Sequence, residues 1–481
     1  MGFQQGLSGL NVSAKNLDVI GNNVANSNTV GFKSSRTEFA DIFASTIVGV
    51  AGTQSGIGAY VSKVAQQFTQ GNITSSANPL DIAINNNGFF RMESSAGAIS
   101  YSRNGQFKLE KSGFIVDNGG GYLTGYGVTQ VVDPLTGLAK DAADRGQPIR
   151  VQIDPGAQNA PLATGQSVGG NQGVLFALNL DSRAAQPTAA FTSTTSAPPP
   201  GLLGNPIPDP SSYNSATSIS VYDSQGAPHS LTTYYVKTAT PNEWDVYVLA
   251  DGTSMGNIQI GGQAQASGAA ALRMVFDSNG TLQGYKVPAS AAAITNQITS
   301  PPSLDVDLAA IAAEQTAINQ HKGITTTVTN GATTPLVFPL SYKGSTQFGS
   351  NFGVGTARQD GFAPGQLAGF SVSPEGAVQV RYTNGQTKTA AYIRLANFPN
   401  TQGLQPAGNN QWVQTYAAGD EVTGLPGDAG FGTLQSGAVE DSNVDLTAEL
   451  VNMITAQRTY QANAQTVKTQ DQILQTLVNL R

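Results

Sequence analysis

No cysteine occurs in this 481-residue chain, and it has only two histidines. A disulfide framework and a Cys-ligated metal site are therefore excluded, and little material is left for a His-based one. Charge is scarce as well: Asp, Glu, Lys and Arg make up 11% of the residues, against roughly 25% in an average soluble domain. With 24 basic against 31 acidic side chains and a net charge of −7, the chain lacks the basic footprint of a nucleic-acid binder. It also lacks an apolar run of roughly 18 residues, as a membrane-spanning helix needs, and a basic-then-apolar leader. The expectation is a protein with no membrane insertion, no nucleic-acid partner, no cofactor and no standard cleaved signal peptide. Glycine, in contrast, is abundant at 55 residues, so turns must be frequent. The length implies about two to four domains, since single cores stop growing near about 250 residues.

The two ends differ from everything between them. Phe3, Leu7, Leu10, Ala14, Leu17 and Val24 step by four and three, with Gly21 as the break in the heptad series. Leu446, Leu450, Met453, Tyr460, Ala464, Val467, Leu474 and Val478 repeat the rule at the other end, interrupted by Gln457 and Asp471. Helices carrying these stripes would be roughly 30 Å and on the order of 50 Å long. Such a stripe contributes stability only when buried against another helix. The flanking faces carry mostly Gln, Asn, Ser and Thr in place of Glu and Lys pairs, which suits them to meet other faces. A terminal coiled coil, pairing the chain ends with each other and with neighbouring molecules, is the expectation. Two amphipathic helices capping an ordinary core are the alternative.

The first stripe runs into "NNVANSNTVGFK", residues 22–33. Asn tolerates the left-handed conformation, its amide can satisfy free carbonyls, and Gly31 permits the turn that follows. These residues predict a helix C-terminus.

The middle of the chain alternates in short runs separated by turn dipeptides. Asn87-Gly88, Asn104-Gly105, Asp251-Gly252, Asn279-Gly280 and Asn384-Gly385 each sit between two strand-like runs, predicting hairpins. The body is therefore read as antiparallel β, in sandwich or barrel form. Pro187 to Ser215 is rich in Pro, Ser and Thr and reads as a long surface connection. A short helix is expected over Asp307 to Gln320, capped by Asp307.

Catalytic patterns are weak. Ser167 and Ser254 each lie in a G-x-S-x-G match, but a glycine-rich chain produces such matches by chance, and "NIQI" after Ser254 reads as a strand where the hydrolase elbow needs a helix. His321, with Asp277, Asp305 and Asp307 between it and Ser254, permits the chain order of a triad and nothing more. His229 is expected in a turn. "DSNGTL" from Asp277 resembles half of a calcium loop, yet Pro288 stands where the bidentate Glu should be. The glycine run after Asp117 fits neither phosphate-binding spacing and reads as another turn.

Three stretches together carry a family resemblance: "ANSNTVGFK" after a heptad helix, "NPLDIAINNNGFF" (Asn78 to Phe90), and the end of the chain from "GAVEDSNVDLTAEL" onward. They resemble the bacterial flagellar rod and hook axial proteins. "VYDSQGAPHSLTTYYVK" (Val221 to Lys237), "QDGFAPGQLAGFSVSPEGAVQVRYTNGQ" (Gln359 to Gln386) and the size of the central insertion resemble the hook members of that family. The resemblance implies a multidomain α+β fold, with a terminal α-helical coiled coil from both chain ends and two mainly antiparallel β domains, the outer inserted in the inner. Matched onto this chain, that gives paired helices at 1–26 and 437–481, a linker at 27–70, an inner β domain at 71–146 and 358–436, and an outer domain of one or two lobes at 147–357.

It implies no enzyme but a structural subunit of the flagellar hook, a curved flexible tube acting as universal joint between rod and filament. Implied partners are further copies of the chain, the distal rod protein, the hook cap, the hook–filament junction proteins and the type III export apparatus, and the implied location is extracellular. Leu7, Leu10, Leu17, Val24, Leu446, Leu450, Met453, Tyr460, Val467, Leu474 and Val478 become the expected polymerisation and helix-packing residues. Asn22, Asn23, Asn26, Asn28, Gly31 and Phe32 become expected helix-end and linker contacts. From the residues alone, a secreted β-rich adhesin or binding protein and a secreted serine hydrolase remain as alternatives.

Overall fold

The computed structural model describes residues 2–42, 56, 58–132, 139–154, 156, 158–167, 173–191, 208–253, 258–260, 263–264, 270–290, 293–321 and 331–479. Ser254, the interior of the Pro-rich connection (192–207), and the side chains of His321 and Val478 lie outside the described residues.

Among the described residues three α-helices occur: α1 (Gly2–Ala25), α2 (Leu308–His321) and α3 (Leu446–Asn479). Their ends follow from local chemistry. The Asn26 side-chain amide donates to the Asn22 carbonyl at 3.0 Å, closing the last turn of α1. The Asp307 carboxylate accepts from the N–H groups of Ala309 and Ala310, as its cap position predicts for α2. Asp445 caps α3 in the same way, through Thr447 N–H at 2.9 Å and Ala448 N–H at 3.1 Å. The second terminal helix therefore starts at Leu446 and not at 437. Ala438–Glu440, expected to be helical, is a strand paired with Ile73–Ser75, because Glu440 is drawn into a buried ion cluster.

The stretch 27–70 is more than a linker. It holds a hairpin, β1 (Ser35–Ile42) and β2 (Gly58–Gln66), with a bulge at Glu38/Phe39, packed against α1.

Between Phe89 and Gly424, strands from both sides of the insertion form one sheet of thirteen strands among the described residues. Its core includes Ile82, Phe90, Leu123, Val151, Val378 and Ile393. An edge-to-face aromatic cluster of Phe68, Phe89, Tyr101, Phe398 and Trp412 joins this body to the hairpin region. The boundary expected at 146/147 falls inside the strand Ala139–Arg150, which pairs with Tyr122–Val132, and Ile153 still belongs to this core. The crossing lies beyond it, where Asn159 pairs with Gly365 and Leu162 with Phe362. Asp360 fastens this crossing by accepting from the backbone N–H groups of Gly165, Ser167 and Gly173.

Between Val174 and Arg358, a seven-stranded and a six-stranded sheet, counted over the described residues, enclose a single hydrophobic core. Phe176, Trp244, Met274, Phe338 and Tyr342 fill it. Pairing is mainly antiparallel; Val174–Asp181 also makes parallel pairs with Leu336–Ser341 and Thr346–Phe348.

Of the expected hairpins, Asn279-Gly280 and Asn384-Gly385 join strands that do pair. The other three do not. At Asn87-Gly88 the positive φ angles fall on Asn86 (88°) and Gly88 (122°), which is not a type I′ turn, and the strand before it pairs elsewhere. Neither Asn104 nor Gly105 has positive φ, and the flanking strands pair with other partners. Asp251-Gly252 does make a left-handed turn (φ 50° and 67°), but the next strand, Ile258–Ile260, joins the other sheet. His229, expected in a turn, lies in the strand Pro228–Lys237.

Candidate assembly interface

α1 and α3 pack side by side in antiparallel order. Gly6 faces Val467, Gly9 faces Asn463, and the Asn463 amide reaches Ser13 Oγ at 3.4 Å. At the other end Asn23 Nδ2 lies 3.3 Å from Glu449 Oε1. A Cβ built on Gly6 would sit 2.9 Å from Val467 Cγ2, so glycine sets the close approach of the two helices. The deepest positions on α1, Gly6, Ser13, Ile20 and Asn23, keep heptad spacing, and Ala456 is buried opposite them.

That seam is turned by one residue from the apolar series read in the sequence. Gly6, Ser13 and Ile20 point inward, while Phe3 and Leu7 stay exposed. Leu10, Leu17, Val24, Met453 and Tyr460 are half-buried along its edges, and Val467, also half-buried, lies in the seam against Gly6. Leu446, Leu450, Val451 and Ile454 form an exposed apolar patch on the first turns of α3. Leu474 is exposed for a different reason. α3 has 34 residues and α1 24, so with Gly6 beside Val467 the last turns of α3 extend past the start of α1.

The asparagine cluster divides by role. Asn23 is 1% exposed and clamps three elements, accepting from Ser35 N–H at 2.9 Å and donating to the Ser35 carbonyl at 2.8 Å besides its contact with Glu449. Asn22 and Asn26 bond to each other, and Thr29 Oγ1 donates to Asn26. Asn28 is exposed and Phe32 half-buried. Gly31, at φ 70°, donates its N–H to the Glu440 carbonyl at 2.7 Å and lies against the backbone of Asn104.

Lys33, Arg103 and Glu440 were not singled out in the sequence, yet they close this region. Glu440 takes Lys33 Nζ at 2.6 Å on one oxygen and Arg103 at 3.2 Å on the other, and Gly71 N–H adds 2.8 Å. Burial pulls both cations below their ordinary pKa ranges, with Glu440 opposing that shift. Asn443 adds a second tie, accepting from Ser34 N–H at 2.7 Å and donating to the Gln67 carbonyl at 2.7 Å.

The residues weighed for catalysis are occupied structurally. Asp277 accepts from Asn279 N–H and from Thr281 in a turn, Asp307 caps α2, and Ser167 N–H donates to Asp360. Asp117 likewise closes a turn by accepting from Gly119 and Gly121. Among the described residues no group of His, Cys, Asp and Glu is arranged to hold a metal, and no helix is long and apolar enough to cross a membrane.

Comparison with known proteins gives four family matches along the chain. Residues 3–33 match the flagella basal body rod protein family, 83–164 the flagellar hook protein FlgE/F/G D1 domain, 179–362 the flagellar basal body protein FlaE D2 domain, and 435–480 the flagellar basal body rod FlgEFG protein C-terminal region. The chain is 39% identical over 483 residues to the flagellar hook protein FlgE of Escherichia coli (strain K12), covering 100% of both chains. It is 28% identical over 489 residues to the flagellar hook protein FlgE of Borreliella burgdorferi, covering 99% of this chain and 98% of that one. A crystal structure of Helicobacter pylori flagellar hook protein FlgE2 aligns over 76% of this chain and all of its own, with 14% identity and a TM-score of 0.47.

Proposed function

The chain belongs to the bacterial flagellar hook protein family, and on that premise we propose that it is the hook's structural subunit, polymerising into a flexible tube that passes motor torque from rod to filament. One observation carries the assembly mechanism: α1 and α3 place mostly small and polar residues on their mutual seam, with Ile20 and Val467 among them, and leave Leu7, Leu446, Leu450, Val451 and Ile454 facing out. In a single chain that patch gains nothing from exposure; between copies its burial stabilises contact. A heterologous contact of this kind, repeated without closing into a ring, makes an open helical polymer.

Within the tube, the paired terminal helices form an inner coiled coil, the thirteen-stranded body lies outside them, and the two-sheet body points outward. Leu446, Leu450 and Leu474 on α3, with Leu7 on α1, make the contacts between copies; Val467 packs in the seam, and Met453 and Tyr460 support it from its edges. Bending during rotation needs outer contacts that slide between alternative packings while the inner ones hold. A surface with few charges suits sliding, because buried ion pairs are costly to break.

The role is structural and not enzymatic. Partners at the two ends of the tube are the distal rod protein, and the cap and junction proteins. The subunit reaches its extracellular position through the type III export apparatus, unfolded. The lack of cysteine supports that route, since no disulfide can form in transit. Electron microscopy of the purified chain under assembling conditions tests the reading. Tubes of uniform diameter are expected, and discrete particles at every concentration would contradict it.

A further inference from the structure

A cavity of about 640 Å³ opens between α1, α3 and the β1–β2 hairpin. Its wall is mixed, with Val12, Val19 and Phe39 lining it beside polar Ser13, Gln67 and Thr459. Two further residues of the lining carry buried polar atoms that have no hydrogen-bond partner among the described residues: Thr37 Oγ1 and Glu449 Oε2. The other oxygen of Glu449 has only the 3.3 Å contact with the Asn23 amide. Leaving a carboxylate oxygen buried and unpaired is costly, so the site calls for a donor, best a cationic one. Arg36 on the same wall is already paired with Glu38 at 3.3 Å.

A second observation, made elsewhere on the helix, supplies the donor. The exposed apolar face of α3, with Val451 and Ile454, continues into Arg458, which lies four residues past Ile454 and seven past Val451 and so on the same side. Arg458 is exposed and has no carboxylate partner among the described residues. Nine residues separate it from Glu449, about two and a half turns, so the two point to opposite sides of α3. A face that buries Val451 and Ile454 against another molecule must bury Arg458 with them, and a buried guanidinium needs a counter-charge.

We propose that Arg458 of one copy enters the α1–α3–β1 cavity of a neighbouring copy and pairs there with Glu449. This rests on the assembly reading above and names the contact that gives it register. Each copy donates one arginine and receives one, as a heterologous open contact requires. Lys468 lies ten residues further along α3, away from the apolar patch, and takes no part.

The absence of cysteine makes the test direct. Copies carrying Glu449→Cys are mixed with copies carrying Arg458→Cys, assembled and treated with a thiol-reactive bismaleimide about 10 Å long, because the span of an Arg–Glu pair exceeds the reach of a direct disulfide. The expected result is a cross-linked dimer that forms only from the mixture and only on assembly. In parallel, Glu449→Gln should raise the critical concentration at least about tenfold without lowering monomer melting, and the swapped pair Glu449→Lys with Arg458→Glu should assemble better than either single variant. Lys468→Glu should change nothing. Tubes that form without the cross-link, or that link through Lys468→Cys instead, overturn the pairing and leave assembly standing. A wild-type chain that never assembles overturns both.

Discussion

Lys33 and Glu440, 407 residues apart in the chain, meet at 2.6 Å with both side chains fully buried. Glu440 also holds Arg103, so one carboxylate serves two buried cations from three separated stretches of sequence. The exit of α1, the thirteen-stranded body and the approach to α3 are thereby fixed to one another. Glu440→Gln would leave Lys33 and Arg103 buried without their counter-charge. Denaturant unfolding of the monomer should show a loss on the order of 3–5 kcal/mol, and an unchanged midpoint would remove the cluster from the account.

Gly31 makes the turn that brings Lys33 to this cluster. Its φ of 70° is left-handed, and an added Cβ would lie 2.5 Å from the backbone nitrogen of Asn104. Gly31→Ala combines backbone strain with a clash that no side-chain rotation relieves. The expected destabilisation is about 2–5 kcal/mol by thermal or chemical melting.

How far the sequence foretold this region depends on the kind of signal. Apolar spacing announced both terminal helices, because Leu7, Leu10, Leu17 and Leu450, Tyr460, Val467 recur at heptad intervals. It could not announce which face turned inward, since the seam is built on Gly6, Ser13, Asn23 and Asn463, which carry no weight in a search for apolar periodicity. Glu440 and its cations were invisible for another reason: no local pattern links residues that far apart. Asn-Gly pairs found turns, but whether the flanking strands pair with each other depended on φ at the neighbouring residue and on which sheet the next strand joined.

His229 lies between two carboxylates, with Asp251 2.7 Å from Nδ1 and Asp223 3.4 Å from Nε2. Its hydrogen bond to Asp251 raises its pKa above the ordinary 6.5, with burial opposing. A raised histidine pKa means the folded state holds the proton more tightly. The stabilisation is fully present below about pH 6.5 and is lost as pH rises through the higher folded value. Melting of the two-sheet body across that range should show this decline, and His229→Gln should flatten it. An equal slope in the variant would assign the dependence to other groups.

Along α3, burial falls away toward the C-terminus: Ala456 is buried, whereas residues 471–476 are all exposed. A helix with no packed face is marginal in water. Amide exchange in a verified monomer should be fast over 471–476 and slower around Ala456. Uniform protection along the helix would mean that its far end is held by something other than α1.

The central claim is that the outward apolar residues of α3 are spent between copies and not within one. Leu450 and Leu474 are 44% and 52% exposed in the single chain, so replacing both with alanine should barely move monomer melting. If the tube buries the same side chains between copies, as proposed, their loss should weaken assembly. The direct measurement is sedimentation of the Leu450→Ala/Leu474→Ala variant beside the wild type, with monomer melting as control. The account expects a critical concentration raised at least about tenfold, equivalent to about 1.4 kcal/mol per contact. Equal critical concentrations with equal melting would contradict it.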